Sequence, residues 1–348
     1  MLRWILCLVS FLFLASTLTA QVSPVPVSDY AFRPDNDEGY IQAWNVDVRT
    51  PNAFLYVTLL VSNVGPGDLN NGVSVLVVKP GSSRIWTAEY SVRSLQATAG
   101  QFGHKSGLSR IHRDEKGRII LHSEIPGGSP SPKESLNLDL VLTPVDGGLR
   151  ISGGLLEPEK GSFLRADLPV IAAKAEGTLT IGGVQEPLNG IAGLDAIWSN
   201  KSPHTYAKRF LLIRSFSEAP GIFIGGFMGK EENFLLRFAV AEKGKVKSSG
   251  NVKSLEVNAS AMDPFSGYSI PTSVTYGLED GCKITEVRKG FAGGFDVLGS
   301  ISTVLRWILR VFFARPYVMH FTSQMTYVCN GAKDISAEAQ ASYYLINR

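Results

Sequence analysis

LNLDLVLTPV, residues 136–145, alternates strictly: Leu136, Leu138, Leu140 and Leu142 stand on one side, Asn137, Asp139, Val141 and Thr143 on the other. Successive side chains of a strand point to opposite faces, so a period of two predicts a β-strand with one face on a core or cavity. Similar runs lie upstream at 41–48 (IQAWNVDV), 54–63 (FLYVTLLVSN), 72–79 (GVSVLVVK), 83–92 (SRIWTAEYSV) and 117–125 (GRIILHSEI). Helical periodicity is nearly absent over this stretch. Downstream, 176–184, 207–216, 221–229, 232–242, 253–260, 273–281, 282–290, 317–330 and 336–348 read the same way. The result is two successive sets of strands, divided near 155–190. The 35 glycines and 18 prolines are scattered at turn-like intervals between them, as many short strands joined by turns require.

The chain opens with Arg3, the apolar run LCLVSFLFL (6–14) and small residues up to Ala20. That order predicts a signal peptide over 1–20 and an exported protein, in the periplasm, secretory pathway or exterior. The alternative is an uncleaved anchor, although the apolar run is short against the roughly 20 residues of a membrane span. About 330 residues would remain, enough for two ordinary domains. Residues 21–38 are proline-rich and polar, an extended entry.

A full-chain charge of +3 with 19% charged residues excludes the basic face that nucleic acid demands. Cys282 and Cys329 remain after the leader. In an oxidising compartment they either pair or stay as two buried thiols. Their spacing is not that of a zinc site, and neither metal nor cofactor is expected.

One segment departs from the β pattern. In VLGSISTVLRWILRVFFAR (297–315), Gly299, Thr303, Arg306 and Arg310 form a narrow polar stripe beside a wide apolar face, and Pro316 follows. This predicts an amphipathic helix. It either packs on a barrel or lies at a membrane surface, with Arg306, Trp307, Arg310 and Arg315 near lipid phosphates. A span is the weaker option, with two arginines in its middle.

The sequence carries no G-x-S-x-G elbow, P-loop or dinucleotide fingerprint, and its histidines have no metal spacing. His320 lies in an apolar strand, as either a cavity group or a satisfied structural histidine. GIAGLDAIWSNKSPHTYAKRF (190–210) places Asp195 and Trp198 between glycine-rich turns. On a regular strand Asp195 shares a face with Ile197, and Trp198 takes the opposite one. A bulge near the glycines would bring Asp195 and Trp198 together. An Asp in apolar surroundings has a raised pKa and can protonate an alkene or carbonyl. The alternative is an Asp that caps a turn.

G-x-D-x-x-W ahead of a β-meander resembles the lipocalin-like superfamily of AttH proteins, carotenoid hydratases, tocopherol cyclases and fungal Diels–Alderases. AFLYVTLLVSNVGPG (53–67), Lys79-Pro80, Trp86 and FDVLGSISTVLRWILRVFFARPYVMHF (295–321) are most similar to its fungal survival-factor, ceramide-binding branch. The resemblance implies an all-β protein of two consecutive calycin-like antiparallel barrels. Here these would span 39–175 and 176–348, the second including the helix at 297–315. It also implies an apolar pocket for a lipid or polyene. Where the hydratase branch has Tyr two residues before the Asp, this chain has Gly193, which puts hydratase chemistry in doubt.

Two functions therefore compete. The first is a carrier of a hydrophobic ligand (lipid, sphingolipid or isoprenoid), with Trp44, Tyr56, Trp86, Trp198, Tyr206, Phe227, Tyr317 and His320 as lining. The second is a cyclase, hydratase or Diels–Alderase-type enzyme acting on a polyene through Asp195. A third reading is a structural protein attached to membranes by 297–315. Asn200 and Asn258 head glycosylation sequons.

Overall fold

The computed structural model describes Val25 and residues 30–63, 68–145, 155–156, 160–202, 205–215, 221–229, 234–242, 245–300, 316–331 and 333–345. The first twelve strands are β1 (Ile41–Arg49), β2 (Phe54–Ser62), β3 (Asn70–Lys79), β4 (Ser82–Tyr90), β5 (Leu95–Ala97), β6 (Gly103–Ser106), β7 (Ser109–Arg113), β8 (Ile119–Ile125), β9 (Leu136–Pro144), β10 (Leu155–Leu156), β11 (Leu164–Ile181) and β12 (Val184–Ser199). They form one antiparallel sheet in the order β4-β3-β2-β1-β12-β11-β9-β8-β7-β6-β5, with β10 beside β11. This sheet curls into a nearly closed barrel. Across the gap, Trp86 Nε1 donates to Glu134 O (2.8 Å) and Thr87 N to Ser131 Oγ (2.9 Å).

The other eight strands are β13 (Ala207–Ser215), β14 (Gly221–Gly229), β15 (Phe234–Glu242), β16 (Lys245–Met262), β17 (Ser269–Leu278), β18 (Lys283–Asp296), β19 (Tyr317–Val328) and β20 (Ile335–Leu345). They close into a barrel in sequence order, with β13 pairing back to β20.

The leucine alternation in β9 carries through to burial: Leu136, Leu138, Leu140 and Leu142 are each at most 1% exposed and face the first core. Trp44, Val46 and Val48 of β1 point into the same core. The second core is filled likewise by Ile213, Ile224, Phe238, Tyr276, Met319 and Met325, among others. Among the described residues, apolar side chains pack into a core in each barrel. The expected extended entry has no regular structure at 32–37 and packs on the first barrel. Tyr30 O accepts from Trp44 Nε1 (2.8 Å), and Ala31 O from Gln42 Nε2 (2.7 Å).

The expected division at 175/176 falls inside β11, and the chain leaves the first sheet only after Ser199. The reason is the β11–β12 hairpin. Its turn, Gly182-Gly183, has positive φ at both residues (57° and 84°), the geometry of a tight two-residue hairpin. β12 then returns along the full length of β1. The helix expected at 297–315 is described only over Val297–Ser300, where the chain makes a short 3-10 turn. The remainder, including Arg306, Trp307, Arg310 and Arg315, lies outside the described residues. No described helix is long and apolar enough to cross a membrane.

Cys282 and Cys329 are bonded, with Cα atoms 4.5 Å apart. They sit one step beyond the Lys283–Val328 pair of the β18–β19 ladder.

Candidate functional site

Asn45 and Asp47 alternate with the inward Trp44 and Val46, so they point out of the first barrel. In the β1–β12 ladder Asn45 lies opposite Asp195 and Asp47 opposite Gly193. The ladder runs from Ile191 to Ser199 with no register shift, so Asp195 and Trp198 take opposite faces and no bulge unites them. Asp195 and Asp47 are nevertheless buried, 4% and 6% exposed. The second barrel covers them, inserting Arg214 of β13.

Arg214 Nη1 donates to Asp47 Oδ1 (2.6 Å) and Nη2 to Asp195 Oδ1 (3.0 Å). Asn45 Nδ2 donates to Asp195 Oδ2 (2.8 Å), and Thr58 Oγ1 to Asn45 Oδ1 (2.8 Å). Gly193 is what admits the guanidinium. A Cβ there would stand 1.5 Å from Arg214 Nη1 and 2.9 Å from Asp47 Oδ1. Any larger residue, including the hydratase branch's Tyr, would occupy the space that Arg214 fills.

Two carboxylates share one guanidinium in a buried interface. Burial pushes Asp195 up to about 6, with Arg214 opposing the rise and the like charge of Asp47 adding to it. Burial also raises Asp47, against the pull of Arg214. Burial alone would lower Arg214, but the two carboxylates outweigh it and keep the guanidinium charged. Both carboxyls thus stand above the ordinary carboxylate range, with Arg214 limiting the rise of each.

A cleft opens beside this cluster, between the barrels. Ile197 and Leu168 line it from the first barrel, and Phe210, Leu212 and Phe223 from the second. Asp195, Asp167, Arg237 and Tyr344 supply its polar groups. Tyr344 shares a hydrogen bond with Tyr56 across the interface. Burial first, then neighbouring charge, holds both phenols far above their ordinary range, so they stay neutral. The cleft is small, about 60 Å³, with an apolar wall and few polar groups.

Of the expected site residues that are described, Asp195 lines this cleft and the others do not. Trp44 and Trp86 fill the first core, with indole N–H groups bonded to backbone carbonyls. Trp198 packs between Arg33 and Phe163 (5.0 and 4.5 Å). Tyr206 and Phe227 pack with Leu164 and Phe210 behind the cleft wall. Tyr317 lies in the second core. His320 and Tyr56 sit at the barrel interface, ring centroids 4.4 Å apart. Burial lowers His320 to about 3, and its Nδ1 meets Ser342 Oγ at 2.9 Å. It is a neutral structural histidine. Asp47, Arg214 and Tyr344 were not foreseen. No group of three metal-ligating side chains occurs among the described residues.

No family model and no curated protein matches the sequence. Solved structures do match the fold. An AttH-type protein of Nitrosomonas europaea superposes with a TM-score of 0.62 at 13% identity, covering 92% of this chain and 97% of that one. CghA with Sch210972 gives 0.57 at 11% identity, covering 93% and 96%. Kievitone hydratase from Nectria haematococca gives 0.57 at 10% identity, covering 92% and 93%. The architecture is therefore the lipocalin-like, two-barrel fold of AttH-type proteins.

Proposed function

We propose that this exported protein binds an apolar, unsaturated small molecule in the inter-barrel cleft and passes a proton to it from Asp195. The observation that carries the reading is a buried carboxyl raised to about 6 that faces an apolar wall. An acid poised near neutrality and shielded from water is what protonation of an alkene or carbonyl needs. The proton moves from the Asp195 carboxyl to the bound carbon or oxygen. The carboxylate regains one when water adds or a neighbouring C–H is lost. Arg214 and Asn45 hold the carboxylate in place throughout. A hydratase among proteins of the same fold supports this class of reaction. The leader-like N-terminus and the Cys282–Cys329 bond support export.

A second reading, a carrier without turnover, is favoured by one observation. Both oxygens of Asp195 already accept hydrogen bonds, from Arg214 and Asn45. Deuterium separates the two. The compound that co-purifies with the protein is incubated with it in deuterated water. Incorporation by wild type and not by Asp195→Asn supports proton transfer; identical mass spectra from both establish the carrier.

A further inference from the structure

The second barrel holds a charged group that the cleft does not use. Arg288 of β18 has a side chain only 6% exposed, against 1% for Glu286 two residues before it. Its Nε stands 3.9 Å from Glu286 Oε1, beyond hydrogen-bond reach. The oxygens of Glu286 are occupied by other donors. Ser323 Oγ gives to Oε1 (2.8 Å), and Tyr343 and Tyr276 hydroxyls give to Oε2 (3.1 and 3.3 Å). Arg288 Nε and Nη2 are left buried with no hydrogen-bond partner. Those two nitrogens form one edge of the guanidinium, the edge that grips both oxygens of a carboxylate.

A second cation strengthens the imbalance. Arg209 of β13 also faces this end of the barrel, where its Nη2 reaches Ser269 O at only 3.4 Å. Among the groups acting on it are the like charge of Arg288 and the hydroxyls of Tyr343 and Tyr268. Burying the Nε–Nη2 edge of Arg288 without an acceptor is costly unless an anion joins it.

The route from solvent to Arg288 is apolar. Phe265 and Phe291 are 43% and 47% exposed at the rim, with ring centroids 5.5 Å apart. Phe291 meets Phe321 at 5.6 Å, and Phe321 meets Tyr343 at 6.0 Å. The guanidinium rests on the last two rings, at 4.2 and 3.9 Å. A ladder of rings thus leads from an exposed rim to the Nε–Nη2 edge of Arg288.

We propose that this end of the second barrel is a separate binding site for an amphiphile with a carboxylate head and an apolar tail. The head takes the Nε–Nη2 edge of Arg288, and the tail lies along Phe321 and Phe291 to the rim at Phe265. The site does not depend on the chemistry assigned to the cleft.

The test is a displacement titration on the full protein, using 11-dansylaminoundecanoate as fluorophore and dodecanoate or dodecanol as competitor. Dodecanoate is expected to compete at one site, at least roughly tenfold more tightly than dodecanol, since a charge-assisted pair is lost in the alcohol. Arg288→Lys keeps the charge but loses the fork, and is expected to weaken dodecanoate by a similar factor. Phe291→Ser, at an exposed rim position that leaves the core intact, is expected to weaken it too. Equal binding of acid and alcohol overturns the proposal, as does an affinity unchanged in Phe291→Ser. Loss of binding in the cleft variant Leu212→Trp but not in Phe291→Ser also overturns it, by moving the acid to the cleft.

Discussion

Arg214 Nη1 lies 2.6 Å from Asp47 Oδ1, and the two residues belong to different barrels. The same guanidinium reaches Asp195 at 3.0 Å. One side chain therefore joins the barrels and opposes the rise that burial imposes on the acid facing the cleft.

Replacing Arg214 by Met leaves Asp47 and Asp195 buried without their cation. The expected loss is about 3–5 kcal/mol, read as a lower denaturant midpoint. A midpoint within error of wild type would show that the ion cluster contributes nothing to barrel docking.

Gly193→Ala puts a methyl group into the guanidinium, which must move. A cost of about 1–3 kcal/mol is expected. Combined with Arg214→Ser the penalty should largely vanish, because the clashing group is gone. Simple additivity of the two losses would contradict the close approach.

The raised value of Asp195 has a sign in stability. Between the unfolded carboxyl value of 3.8 and about 6, the folded chain binds more protons than the unfolded one. The contribution of this carboxyl is thus fully present below 3.8 and is lost as pH rises past about 6. The difference in unfolding free energy between wild type and Asp195→Asn should fall over that window, by up to about 3 kcal/mol. A flat difference from pH 4 to 7 would place the acid at an ordinary value.

Cys282 and Cys329 are separated by 47 positions in sequence. Replacing both with Ser is expected to lower stability by up to about 4 kcal/mol, through the loop entropy returned to the unfolded chain. An unchanged melting temperature would show that the β18–β19 ladder alone holds the two ends together.

Strand periodicity made much of the fold legible. The leucines of 136–142 point inward as their alternation predicts, and the two sets of strands are two barrels. The polar face was harder to read. In IQAWNVDVR, Asn45 and Asp47 occupy the outward positions of an amphipathic strand, a pattern that elsewhere marks a wet face. Arg214 sits the same way on β13. Only the packing of one barrel on the other turns those faces into a buried cluster, and nothing local in either segment encodes that contact. Asp195 was singled out by its motif, but its hydrogen-bond partners Asn45 and Arg214 lie 150 and 19 positions away, beyond the reach of any local pattern. The aromatic residues misled for a related reason: Trp44 and Trp86 are large enough to fill the first barrel, so they close the interior instead of lining a cavity.

The proposed function requires the cleft between the barrels to hold an apolar ligand against Asp195. Native mass spectrometry of the protein purified from its own host tests it, comparing wild type with Leu212→Trp, which fills the cleft. A bound unsaturated apolar compound is expected in wild type and none in the variant. An empty wild-type protein, or the same adduct in both, would contradict it.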